Sequence, residues 1–198
     1  MTKQNIFLII GVVGITSLIL VGVLFLQSKE ETSGNNGDSQ RFSFKTAVGK
    51  KAPDFTLKDG QGNDVSLASM LGKNIVLFFN EGLMCYPACL DQVVELNKDP
   101  KLNNDKVSAF SIVVDSPKSW QDAQKDLPYL AGTKVLYDAG AKVSRLYDTL
   151  ALPSSMHKGA FPGHTYYLID KEGIVRFILD DPYMAIRNSE LVKEIEKL

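Results

Sequence analysis

The chain has 198 residues and a formal net charge of −1, with two cysteines and two histidines. That length suits one domain of ordinary size plus accessory segments, and no internal repeat is visible. A near-neutral balance provides neither a basic face nor an acidic tail, which excludes nucleic acid and leaves partner choice to a local site.

Residues 1–5 form a short polar tail. Residues 6–26 run without charge or proline, and about 21 residues at 1.5 Å rise match the roughly 30 Å core of a bilayer. This run is expected to be a single transmembrane anchor. A cleaved signal peptide would have a shorter apolar region and a small-residue cleavage site, whereas Gln27-Ser28-Lys29 follows here. The brevity of the tail suggests an uncleaved signal anchor, with the domain on the extracytoplasmic side. Residues 27–45 are rich in Ser, Gly, Asn and Glu and read as a flexible linker. The folded domain is expected over residues 46–198.

Within it, Asp54–Leu57 and Asp64–Leu67 flank a Gly-rich loop and predict a hairpin. Ile75–Phe79 reads as a buried strand. Pro87 suits the start of a helix, and Leu90, Val93, Val94 and Leu96 give that helix an apolar face to about Lys98. Val107–Val114 is a second buried strand. Ser116-Pro117 opens a helix to about Asp126, Val135–Tyr137 is a short strand, and Ala141–Tyr147 a short helix. His164–Ile169 and Ile174–Leu179 form a hairpin through Asp170-Lys171-Glu172-Gly173. Asn188 or Ser189 is placed to cap a last helix bearing Leu191, Val192, Ile195 and Leu198. Strands alternating with helices predict an α/β fold with a central mixed sheet between helices.

The chemistry points to Cys85 and Cys89, separated by three residues at the junction of a strand and a helix. A helix N-terminus favours thiolate over thiol and lowers a cysteine pKa. A bridge across so short a loop removes little denatured-state entropy, so a purely structural role is a poor explanation. Redox exchange, peroxide reduction and metal binding all remain open. Glu81 and Asp91 flank the pair and read first as solvated charges, and Trp120, Tyr129, Tyr137 and Tyr147 as packing residues.

The order of elements, with Val48-Gly49-Lys50-Lys51-Ala52-Pro53-Asp54-Phe55-Thr56-Leu57, Gly72–Phe79 and Tyr167-Leu168-Ile169-Asp170-Lys171-Glu172-Gly173, resembles the peroxiredoxin-like (AhpC/TSA, redoxin) branch of the thioredoxin-fold proteins. The resemblance implies a thioredoxin-like fold and a thiol oxidoreductase cycling a Cys85–Cys89 dithiol/disulfide, acting on a peroxide or on a protein thiol or disulfide partner. Its peroxidatic cysteine corresponds to Cys89, with Gln92 in the usual C-x-x-E/Q place. Tyr86 stands where the family has Thr, Gly82 where it has Pro, and His164 where it has its catalytic Arg. A neutral imidazole donates one hydrogen bond but lacks the charge and five-donor fork of Arg. In related thioredoxin-like proteins the His164 position faces the active disulfide, so His164 is expected within about 8 Å of a cysteine sulfur. A second likeness, to Sco-type copper-binding proteins, implies a copper site of Cys85, Cys89 and His164, with His157 beside Met156 as a further ligand. Apart from copper in that reading, no cofactor is implied.

Overall fold

The computed structural model describes residues 42–198. Its elements in chain order are β1 (Thr56–Lys58), β2 (Asp64–Ser66), α1 (Leu67–Met70), β3 (Asn74–Phe79), α2 (Ala88–Lys98), β4 (Val107–Val113), α3 (Pro117–Asp126), β5 (Val135–Tyr137), α4 (Lys142–Leu146), β6 (Thr165–Ile169), β7 (Val175–Asp180) and α5 (Asn188–Ile195). The strands form one sheet in the order β2-β1-β5-β4-β3-β6-β7. Strands β3, β4 and β5 run parallel, while β6 pairs antiparallel with β3, and β7 with β6.

Every residue of β3 is buried, as a strand covered on both faces requires. Side chains alternate across a strand, so Val76 and Phe78 face one layer while Ile75, Leu77 and Phe79 face the other. The first layer holds Leu90 and Val93 of α2, Trp120 of α3, Leu191 of α5, and Tyr166 and Leu168 of β6. The second holds Leu67, Val143, Tyr147, Tyr167 and Ile169, with Phe42 and Phe44 packed against it. The Tyr147 ring centroid lies 5.1 Å from that of Tyr167 and 5.4 Å from that of Phe42.

Local chemistry sets the element ends. Ser116 caps α3 by accepting the Ser119 N–H at 3.0 Å, and Pro117 fills the first helical position. Ser66 and Ser69 form a capping box that starts α1, a short helix the periodicity did not predict. The expected cap of the last helix is corrected. Arg187 occupies the N-cap without a side-chain cap bond. Asn188 is instead turned toward α2, donating to the Glu95 carbonyl at 2.9 Å and accepting from Gln92. Tyr129 departs from its packing role, at 41% exposed, whereas Trp120, Tyr137 and Tyr147 are buried.

The apolar run 6–26 and the linker 27–45 as far as Arg41 lie outside the described residues. The longest described helix, α2, has 11 residues. At 1.5 Å per residue that is about 16 Å, half a bilayer core, and no described helix is long and apolar enough to cross a membrane.

Candidate functional site

Strand β3 ends at Phe79, and Asn80-Glu81 leads into a 3-10 turn over Gly82–Met84 that delivers Cys85. Gly82 has φ +58°, and a Cβ there would lie 1.7 Å from Asp115 Oδ2. Only glycine permits this approach, which lets Asp115 accept the Leu83 N–H at 3.1 Å. Burial pushes the Asp115 carboxyl pKa up, against the hydrogen bond from Leu83. The chain then passes Tyr86 and Pro87 into α2, where Cys89 stands in the first turn and its N–H donates to the Cys85 carbonyl at 3.0 Å.

Cys85 and Cys89 are joined as a disulfide with a Cα–Cα separation of 5.3 Å. Both are buried, at 3% and 1% exposed. His164 Nδ1 lies 3.6 Å from Cys89 Sγ. The expected proximity is therefore met, and its cause is register. Thr165 pairs with Phe79 and Tyr166 with Phe78, so His164, two residues before Tyr166, projects from the sheet face that α2 covers. Its ring packs edge-on against Phe78 with centroids 4.5 Å apart, and Phe78 stacks on Tyr166 at 4.6 Å.

The His164 Nε2 is 2.8 Å from the Tyr166 hydroxyl. Burial pushes the Tyr166 phenol pKa well up, with Asp181 adding to the rise, so the phenol keeps its proton. Its O–H is fully buried and donates to Nε2, which leaves the imidazole proton on Nδ1, facing Cys89. Burial lowers the His164 pKa to about 4; Asp181 and the Ala185 backbone counter this, and Arg187 reinforces it. The imidazole is neutral at pH 7 and points an N–H at the sulfur.

Glu81 departs from its reading as a solvated charge, being 1% exposed. Its Oε1 accepts the backbone N–H groups of Met156 at 2.6 Å and His157 at 3.0 Å, and its Oε2 lies 2.8 Å from His157 Nδ1. Glu81 thus ties the 155–160 segment to the end of β3, and His157 is spent on that tie. Replacing Glu81 with Ala should cost about 1–2 kcal/mol and open a new tryptic site at Lys158 within the folded domain. An unchanged urea midpoint and unchanged digestion pattern would exclude a holding role.

Further residues complete the surroundings, and of these the sequence had marked Gln92 alone. Met184 Sδ lies 3.6 Å from Cys85 Sγ. Gln92 accepts the Arg187 N–H at 2.7 Å and donates to Asn188 Oδ1 at 2.9 Å. Asp181, 1% exposed, accepts from Arg187 Nε and Nη2, each at 2.7 Å, and from the N–H groups of Tyr183 and Ala185. No motif marks Met184 or Asp181; the single usable signal was Gln92, one turn beyond Cys89 on the buried face.

Cys85, Cys89 and His164, the donors of the copper reading, lie together with the two sulfurs joined. Bridged sulfurs offer no thiolate, Tyr166 occupies one nitrogen of His164, and His157 turns to Glu81. Among the described residues no group of three or more His, Cys, Asp or Glu is placed to hold a metal ion.

Residues 48–178 match the AhpC/TSA family model. Peroxiredoxin Q, chloroplastic, of Triticum aestivum is 29% identical over 78% of this chain and 69% of its own length. The protein of that name from Gentiana triflora is 31% identical over 70% of this chain and 61% of its own length. Among solved structures, the mitochondrial 2-Cys peroxiredoxin of Plasmodium falciparum superposes with a TM-score of 0.63 at 26% identity, over 76% of this chain and 92% of that one. A putative protein disulfide isomerase from Bacteroides thetaiotaomicron, with a TM-score of 0.58, 22% identity and coverage of 76% and 88%, shares the fold. The architecture is thioredoxin-like.

These relatives correct the expected location. The anticipated single-pass membrane protein with an extracytoplasmic domain is not what the curated relatives are: the peroxiredoxin Q proteins are named as chloroplastic, and no described helix is long and apolar enough to cross a membrane. A bridged cysteine pair held at a helix N-terminus in this fold, with the family match across residues 48–178, leads to one conclusion: the chain belongs to the AhpC/TSA family, as a peroxiredoxin-like thiol oxidoreductase.

Proposed function

We propose that the protein reduces peroxides, with Cys89 attacking the peroxide, Cys85 resolving, and a thiol partner restoring the dithiol. The observation that carries this assignment of roles is the surroundings of Cys89, whose sulfur sits in the first turn of an 11-residue helix and 3.6 Å from His164 Nδ1. Helix dipole and N–H both stabilise a thiolate there. The bonded Cys85 sulfur shares the helix end, but its neighbour is the Met184 sulfur at 3.6 Å rather than an N–H.

The cycle follows from those positions. The Cys89 thiolate attacks one peroxide oxygen, the O–O bond breaks, and the departing oxygen takes a proton to leave as water or an alcohol. Cys89 is left as a sulfenic acid. The Cys85 thiolate attacks that sulfur, hydroxide leaves and is protonated to water, and the bridge of the present structure forms. Two thiols from the partner then return the pair to the dithiol.

The test is peroxide consumption under a thiol reductant, together with trapping of the intermediate. Cys89→Ser should abolish turnover, whereas Cys85→Ser should still consume one equivalent of peroxide and yield a dimedone adduct on Cys89. Turnover in Cys89→Ser, or an adduct confined to Cys85 in that variant, would overturn the assignment.

A further inference from the structure

The two sulfurs of the bridge are enclosed by elements of different rigidity. Cys89 Sγ lies against His164, whose ring packs edge-on against the stacked rings of Phe78 and Tyr166 on neighbouring paired strands. In the bridged form the cover of that sulfur therefore belongs to the paired strands rather than to a loop. Cys85 Sγ instead meets Met184 Sδ at 3.6 Å, from the segment between β7 and α5 that belongs to neither sheet nor helix.

That segment is fastened to the sheet and to α2 at its ends, and its crown carries exposed side chains. The Asp181 N–H donates to the His164 carbonyl at 2.9 Å, and the Arg187 N–H donates to Gln92 at 2.7 Å. Between those anchors Tyr183 is 88% and Ile186 55% exposed, so the crown has little packing to lose on opening. Met184 is half-buried with φ 52°, a left-handed conformation that costs a non-glycine residue of order 1 kcal/mol. The neighbours that hold it there are the Asp181 carbonyl, which accepts the Met184 N–H at 3.1 Å, and the Asp181 carboxylate, which accepts from Tyr183 and Ala185.

We propose that Met184 is a plug over the disulfide that controls entry of thiols to Cys85 Sγ, the sulfur covered by a loop, while Cys89 Sγ stays closed to the reductant. Its place in the catalytic cycle rests on the function proposed above. The incoming thiolate forms a new S–S bond to Cys85 as the Cys85–Cys89 bond breaks, and the electron pair departs on Cys89. That leaving thiolate is received by the His164 N–H and the N-terminus of α2, which makes Cys89 the better leaving group. A second thiolate then attacks the mixed disulfide, releasing the Cys85 thiolate and a disulfide of the reductant. The sum is one protein disulfide and two thiols giving one protein dithiol and one external disulfide.

The experiment starts from the oxidised full-length protein and contains no peroxide, so a protein that failed to reduce peroxide would still give a clear answer. Glutathione is added, samples are quenched in acid at successive times, and free thiols and mixed disulfides are mapped by peptide mass. Early adducts should sit on Cys85. Met184→Ala should be reduced about tenfold faster, because the competent open fraction no longer limits entry, whereas Met184→Leu, which keeps the bulk, should match the unaltered protein. Adducts on Cys89, an unchanged rate in Met184→Ala, or equal acceleration in Met184→Leu would each overturn the proposal. The adduct map on the unaltered protein decides the site of attack even if Met184→Ala fails to fold.

Discussion

Replacing His164 with Leu should slow peroxide consumption by about 10- to 100-fold, because it removes a hydrogen bond to a charged sulfur, an interaction of about 1.5–3 kcal/mol. The N–H at Nδ1 is the polar donor that the sheet brings to Cys89 Sγ, at 3.6 Å in the bridged form. Without it the Cys89 thiol pKa should rise by about one to two units, since one unit corresponds to about 1.4 kcal/mol. The measurement is the pH dependence of iodoacetamide alkylation in the Cys85→Ser background, with and without His164→Leu. Tyr166→Phe should shift the profile in the same direction by less, because loss of the phenol donor lets the imidazole proton divide between its two nitrogens. An alkylation profile unmoved by His164→Leu would remove His164 from the reaction and leave the helix N-terminus alone to support the thiolate.

Much of this arrangement was legible from residues, because the strongest signals are periodic. A continuous apolar run marks β3, a largely apolar β-branched segment marks β4, and alternation of faces continues through β6, so the sheet and the cysteine-bearing junction follow from pattern. The same alternation places His164, Tyr166 and Leu168 on one face, and it explains why a histidine 75 residues from Cys89 meets it. What escaped detection depends on tertiary burial of polar groups. Nothing in Asn80-Glu81-Gly82 shows that Glu81 turns inward, because its partners are two backbone N–H groups and a histidine from a distant loop. Asn188 reads as a cap by residue type, yet the nearness of α2 offers it the Glu95 carbonyl and the Gln92 amide instead. Met184 lies in a segment that reads as a plain turn, and it is the bonds of Asp181 to Tyr183, Met184, Ala185 and Arg187 that fold it over Cys85.

Acidification should destabilise the oxidised protein between about pH 6.5 and pH 4, and His164 should be the chief cause. Its pKa is lowered from 6.5 to about 4 in the folded protein, first by burial. A group whose folded pKa is depressed binds fewer protons folded than unfolded, so its penalty is absent above 6.5 and grows as pH falls toward 4. At pH 4.5 the linkage amounts to about 2–3 kcal/mol, a large share of the stability of a domain this size. The groups facing the ring act in both directions: Asp181 favours its protonation and Arg187 opposes it, while Tyr166 and the bridged Cys89 carry no charge here. The lowered carboxyls of Asp170 and Asp181 keep their contribution until lower pH, because a depressed acid loses its stabilisation only below the ordinary carboxylate range. Asp115, raised by burial, works in the opposite sense, since its protonation favours the folded state. Urea unfolding under non-reducing conditions at pH 7 and pH 4.5 separates these effects. The unaltered protein should lose about 2–3 kcal/mol between the two, and His164→Leu should lose much less. Equal losses in the two proteins would show that His164 is not the acid-sensitive group and that its imidazole is accessible to protons in the folded state.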